Sequence, residues 1–347
     1  MNRVELRVDL ARVTSNVEAV LARMAPADVL VVIKDDAYAQ GVEPVVDAAL
    51  RAGARWFGGI DLPSAVRAKR RAGERARVLC WMTVGGDEAE AGLREGLELG
   101  VGDADYLERV AEAAARVGAP ARIHLKPDTG LHRNGVRPEQ WPDFCARAAA
   151  LERQGAVEVV GLWSHIAEAS DEDDDAARAA FDRSERIARE HGLDPRVRHL
   201  AASAAAWHRP EFRYDMVRIG AFCYGIRSAE GPGIPGIAPS ATLAARVVRV
   251  DGSGVLIGVG SLDGLPSAAG GRIRVATPAG PRLLERVDPF DSVVAAWPGA
   301  AIGDEVIVFG PGDRGEPTPT DVGEAIGTVG EEPLLRLTPL VPRVHSS

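Results

Sequence analysis

At 347 residues the chain is too long for one small domain, and two domains are the natural expectation. Hydrophobic residues make up 46% and charged residues 26%, which excludes a disordered chain. A net charge of −9 argues against nucleic acid as a partner, since a phosphate backbone needs a basic surface. No stretch approaches the roughly eighteen uninterrupted apolar residues of a membrane span, and Met1–Glu5 offers no apolar signal-peptide core. Cys80, Cys145 and Cys223 are odd in number and scattered, which suits reduced thiols rather than a disulfide framework. Together these features predict a cytoplasmic protein with no membrane attachment.

An early strand, Val4–Asp9, precedes the first helical stretch. Short Val- and Ile-rich runs then alternate with longer Ala/Arg/Glu stretches of helical period. Strands are predicted over Val29–Lys34, Trp56–Ile60, Arg77–Met82, a weaker one near Leu97–Val101, Arg122–Lys126, Val157–His165, Arg198–Ser203 and Val217–Tyr224. Between them lie helices such as Glu43–Ala52, Leu62–Ala72, Asp105–Val117, Pro138–Arg153 and Asp175–His191. The acidic run Asp171–Asp175 reads as the solvated start of the last helix, where the dipole is positive, rather than as a metal site. This alternation predicts an α/β protein with an N-terminal (β/α)8 TIM-type barrel.

Near Gly236 the texture changes, with Glu211–Pro239 carrying the junction. Short strands appear between Gly and Pro turns: Thr242–Val250, Val255–Gly260, Arg272–Ala276, Asp291–Ala296 and Glu305–Phe309. The predicted division is residues 1–235 as the barrel and 236–347 as a mainly β C-terminal domain. The first strand is free to pair with the latter.

Barrel chemistry collects where strands end, and several of these strands end in polar residues. The first runs Val31-Val32-Ile33-Lys34-Asp35-Asp36-Ala37-Tyr38. A lysine after an apolar run either reaches solvent or, buried, needs a partner; condensation with an aldehyde cofactor is one such use. Others run His124-Leu125-Lys126-Pro127-Asp128-Thr129-Gly130-Leu131-His132-Arg133, Gly161-Leu162-Trp163-Ser164-His165, His199-Leu200-Ala201-Ala202-Ser203 and Met216-Val217-Arg218-Ile219-Gly220. Singly, His165 reads as a satisfied core histidine, Ser203 as a helix cap and Arg218 as a salt-bridge partner. Their convergence on one barrel end favours a site.

In this order the fragments resemble the alanine racemase family, over about Val4 to Arg343. The resemblance implies pyridoxal 5'-phosphate (PLP) bound through Lys34 and a small amino acid as substrate. It also implies a head-to-tail homodimer, each barrel mouth covered by the partner's C-terminal domain. Val32–Gly41 is similar to the family's cofactor-lysine signature, in which a tyrosine, here Tyr38, holds the phosphate. Ala39 and Gln40 stand where Gly-His is usual. Lys126–Arg133 is similar to a second signature, whose lysine, often carbamylated, orients the arginine that contacts the phenolic oxygen. By the same resemblance Arg218 faces the pyridine nitrogen with His165 behind it, and Ser203 and the Gly220 amide contact the phosphate. Arginine at that place cannot pass a proton to the ring, which favours proton transfer over decarboxylation.

The pattern breaks at the second base. The resemblance implies a tyrosine from the partner's C-terminal domain, serving the L-substrate while the lysine serves the D-substrate. This chain has no tyrosine after Tyr224, and Val247–Gly254 runs almost directly into Val255, so both loop and base are missing. Asp263 and Asp288 are candidate substitutes, each also readable as structural, and Asp263 joins Lys34, Arg133 and His165 as a candidate catalytic residue. The first expectation is racemisation at the α-carbon with a substituted base. The alternatives are a one-base PLP enzyme acting on one enantiomer in a non-racemase reaction (decarboxylation, aldol-type chemistry or α-hydrogen exchange), or a PLP-binding homologue without turnover. No metal is expected, because after Cys223 there is no cysteine and the sole late histidine is His345.

Overall fold

The computed structural model describes residues 2–227, 233–252 and 254–347. The chain begins with β1 (Val4–Asp9) and enters the barrel strands β2 (Asp28–Val32), β3 (Trp56–Gly59), β4 (Arg77–Cys80), β5 (Glu98–Val101), β6 (Ala121–Leu125), β7 (Val157–Trp163), β8 (Val197–His199) and β9 (Met216–Ile219). Every pairing from β2 through to β8 is parallel, and β9 pairs in parallel with β2. The ends meet where the Asp215 amide donates to the Arg198 carbonyl (3.2 Å) and the Arg218 amide to the Ala201 carbonyl (3.2 Å), closing a (β/α)8 barrel. Helices follow the strands because their starts are signalled locally. Asp61 accepts from the Ser64 amide at 2.8 Å, Asp103 from the Tyr106 amide at 2.7 Å, and Ser170 from the Asp173 amide at 3.1 Å.

Small residues in these strands set how much room the interior has. A Cβ on Gly161 would lie 2.1 Å from His124 Nδ1, and one on Gly100 would lie 2.9 Å from the Trp81 Cβ. Glycine therefore makes space for large rings inside the barrel. Trp163 stacks on His199 with centroids 5.9 Å apart, and Trp56 meets His124 edge-on at 6.1 Å.

The chain divides into two compact units. Val20–Lys34 with Ala49–Gly220 holds the barrel strands. Met1–Ala19, Asp35–Ala48 and Ala221–Ser347 form the other, built on β1, β10 (Ala241–Asp251), β11 (Gly254–Ile257), β12 (Arg274–Thr277), β13 (Gly280–Val287), β14 (Ser292–Val294), β15 (Glu305–Phe309) and β16 (Arg343–Ser346). In that second unit the order β11-β14-β13-β12-β15-β10 returns to β11, giving a ring of antiparallel strands. Beyond β10, β1 pairs antiparallel (Leu6 opposite Leu243), and β16 pairs parallel with β1.

Several elements differ from their predicted extents. β8 stops at His199 and β9 at Ile219; Ser203 instead opens a helix (Ser203–His208), and Ala221–Tyr224 is a 3-10 turn. The acidic run is inside its helix, Asp171–Glu190, because Ser170 supplies the cap four residues earlier than the apolar period suggests. The first helix is Leu10–Met24, and helix Gly86–Arg94 and strands β13 and β16 were not predicted. The β unit also contains a capped helix, Pro319–Ile326. No helix among the described residues is long and apolar enough to cross a membrane.

Candidate active site

Lys34 lies two residues past β2, and the Ile33 amide still donates to the Gly58 carbonyl at 2.9 Å. The next residues are not a right-handed helix: Asp35, Asp36, Ala37, Tyr38 and Ala39 have φ of 53°, 54°, 54°, 56° and 62°. A left-handed turn of non-glycine residues costs about 1–2 kcal/mol per residue, so it needs firm support. Ala37, Tyr38 and Ala39 are buried, the Gly41 amide donates to the Asp36 carbonyl (2.8 Å), and Arg343 Nε donates to the Ala39 carbonyl (3.1 Å). Tyr38 stacks on Tyr224 at 4.4 Å, and burial first, then Glu331, Cys223 and Asp35, raise its phenol well above the usual range. It remains a hydrogen-bond donor. Gln40 is also buried, its side-chain oxygen accepting from Ser240 Oγ at 2.7 Å.

Inside the barrel unit, Arg218 is the hub. It is 5% exposed, and its Nη2 donates to the Ser164 carbonyl (2.7 Å), the Leu200 carbonyl (3.0 Å) and His165 Nδ1 (3.1 Å). Its Nη1 donates to the His199 carbonyl (3.1 Å) and His199 Nδ1 (3.2 Å). Its Nε–H makes no hydrogen bond among the described residues. Burial and then Arg133 pull Arg218 down to about 9, so it stays charged at neutral pH. His165 is pushed down to about 3 by burial and by Arg218, Arg133, Lys126 and Lys34. It is therefore neutral, and four basic side chains act on it.

Lys126 is 4% exposed, sits 4.5 Å over the Trp163 ring, and is lowered to about 8 by burial, Arg218 and Arg133. Two of the chain's three lysines, Lys34 and Lys126, belong to this cluster. Arg133 is exposed and makes no hydrogen bond with Lys126 among the described residues. The physical reason is plain, since both side chains only donate. Ser203 and Gly220 are neighbours, the Gly220 amide pointing at Ser203 Oγ at 3.4 Å.

The proposed second bases are otherwise engaged within the β unit. Asp263 accepts two bonds from Arg3 Nη2 (2.8 and 2.9 Å) and one from the Gly260 amide (2.9 Å). Asp288 is held below the usual carboxylate range by its hydrogen bonds from Arg286. Both carboxylates have structural employment. The stretch expected to carry the missing tyrosine is a tight hairpin, with Asp251 opposite Gly254 and Val250 opposite Val255; Ser253 lies outside the described residues.

Sequence reasoning assigned no role to Glu98, His124 or His199, which are 3%, 0% and 0% exposed and hydrogen-bonded in line behind Arg218. Their signal is a polar side chain inside an otherwise apolar strand. Glu168 was also passed over; it accepts from the Ala205 amide at 2.9 Å, in the helix that Ser203 opens.

The donor set suits PLP: a buried guanidinium with an unused Nε–H, a hydroxyl beside a backbone amide, and a lysine in the same cationic cluster. The family model described as "Alanine racemase, N-terminal domain" matches residues 8–228. An alanine racemase of Thermobifida fusca is 36% identical over 366 residues, covering 99% of this chain and 98% of its own. One of Frankia casuarinae is 38% identical over 371 residues, covering 97% and 94%. The crystal structure of alanine racemase from D-cycloserine-producing Streptomyces lavendulae superimposes with a TM-score of 0.94 at 33% identity, covering 100% of this chain and 98% of that one. By barrel, site and full-length similarity, the chain belongs to the alanine racemase family of PLP-dependent isomerases.

Proposed function

We propose that this chain carries PLP on Lys34 and moves the α-proton of a small amino acid with one positioned base, Lys34, on one face of the substrate. The observation that carries this reading is the convergence of Lys34, Lys126, Arg133 and Arg218 on neutral His165. It is joined by the absence of any tyrosine after Tyr224. PLP, when bound, supplies the electron sink for charge left at the α-carbon. Arg218 would hold the ring nitrogen through its Nε–H and keep its own proton, since a guanidinium does not give one up. Ser203 and the Gly220 amide would be donors for the phosphate, and the family resemblance implies the same role for Tyr38. Lys126 at about 8 has a neutral fraction at physiological pH, and carbamylation, which the family resemblance implies, would turn it into an acceptor able to hold Arg133.

Racemisation with a substituted base is the second reading, favoured by 36% and 38% identity to alanine racemases along almost the whole chain. The ion pairs of Asp263 and Asp288 speak against it. A head-to-tail homodimer follows from the same resemblance, with water exclusion as its chemical purpose. A stable, active monomer in sedimentation at micromolar concentration would refute it. The three buried free thiols suit a cytoplasmic setting. To test the cofactor assignment, the loaded protein is reduced with borohydride and mapped by peptide mass. The pyridoxyl group is expected on Lys34; a label on Lys69 or Lys126 overturns the assignment.

A further inference from the structure

Four buried polar side chains form one line through the barrel interior. Arg218 Nη1 lies 3.2 Å from His199 Nδ1, His199 Nε2 lies 2.8 Å from His124 Nδ1, and His124 Nε2 lies 2.8 Å from Glu98 Oε2. Glu98 also accepts from Arg77 Nε (2.5 Å) and Nη2 (2.9 Å). Both ends of the line have fixed chemistry. Arginine only donates, and an ionised carboxylate only accepts. His199 must then accept at Nδ1 and donate from Nε2, and His124 must do the same. Every proton in the line points towards Glu98.

The charges agree with that order. Burial holds both imidazoles below their usual range, so each is neutral. Burial pushes Glu98 up, but His124 and Arg77 outweigh it and leave the carboxyl ionised. Arg218 meanwhile has no carboxylate among its hydrogen-bond partners: three carbonyls and two neutral imidazoles surround it. A buried cation beside other cations needs a counter-charge; Glu168 acts on Arg218 through space, and Glu98 is the carboxylate joined to it through hydrogen bonds.

We propose that Glu98, His124 and His199 are positioning residues that act through Arg218, a relay of two neutral imidazoles by which a distant carboxylate fixes the guanidinium's orientation and charge. Polarised chains of this kind strengthen each bond within them. The inference rests on the reading of Arg218 as the partner of the cofactor ring nitrogen, and its test separates the two.

The full-length protein is labelled with 15N-histidine, and His124 and His199 are assigned by single substitutions among the seven histidines. At neutral pH both are expected as neutral Nε2–H tautomers. An Nδ1–H tautomer or a doubly protonated ring at either position overturns the relay, with no need for a variant that folds. Glu98→Gln keeps an acceptor for His124 but removes the charge. In the PLP-loaded enzyme it is expected to shift the cofactor absorbance band and lower kcat about tenfold or more with KM little changed. Glu98→Asp is expected to recover part of both. A folded Glu98→Gln protein with wild-type absorbance and kcat overturns the proposal. If Arg218→Leu also leaves the absorbance untouched while the tautomers are as stated, the reading of Arg218 is what fails.

Discussion

Arg218 donates to His199, whose ring is hydrogen-bonded to His124, and room for that second ring depends on a residue with no side chain at all. A methyl group at Gly161 would meet the His124 ring at 2.1 Å, with the barrel closed around it. Gly161→Ala is therefore expected to destabilise the fold by about 1–3 kcal/mol, the usual cost of overpacking, measured by urea denaturation. Unchanged stability would show that the ring moves freely. Lys126 gives a second handle at this level. Its ammonium is pulled down to about 8 in the folded chain, against an ordinary 10.5. Between these values the unfolded chain binds the proton and the folded one does not, so stability should rise with pH across that window. Lys126→Met should flatten the rise; an equal rise in the variant contradicts it. Lys34, Arg133, His165, Ser203, Arg218 and Gly220 were singled out because they follow strand ends in recognisable order. Glu98, His124 and His199 were not given roles, because a polar residue in a strand has no partner until the barrel is closed.

Two short elements decide what these side chains can do. The left-handed turn over residues 35–39 was invisible in the sequence, since Asp, Ala and Tyr carry no preference for that conformation; buried neighbours and Arg343 impose it. The hairpin between β10 and β11 was readable as a deletion, because a shortened loop is a matter of counting. Its geometry makes the deletion consequential: strand pairing continues to Asp251 opposite Gly254. Inserting a family-length, tyrosine-bearing loop at that turn is expected to raise racemisation by about 10²–10⁴, the range for one general base. A rate unchanged by a well-folded insertion would argue that another group already serves. Strand order was read well, whereas strand ends were overrun at Lys34, His165, Ser203 and Tyr224, where polar site residues continue an apolar run without continuing the ladder.

The barrel as a whole is built around neutral histidines, and that makes it sensitive to acid. His124, His165 and His199 are all held below their ordinary value, His165 at about 3. Below about 6.5 the unfolded chain takes up protons that the folded chain refuses, so stability falls as pH falls, by roughly 1.4 kcal/mol per pH unit for each such histidine. Urea midpoints between pH 7 and 4 should drop steeply, and a flat profile would contradict neutral burial. Chain texture suggested a division near residue 236, whereas residues 1–19 and 35–48 fall in the unit that holds residues 221–347, because a change of unit in mid-sequence leaves no compositional mark. The central claim, a single base on one face, is tested by incubating the PLP-loaded protein with D-alanine and L-alanine separately in deuterated water. α-Deuteration of the D-form with retention, and none of the L-form, is the predicted result; rapid deuteration of both enantiomers with inversion would contradict it.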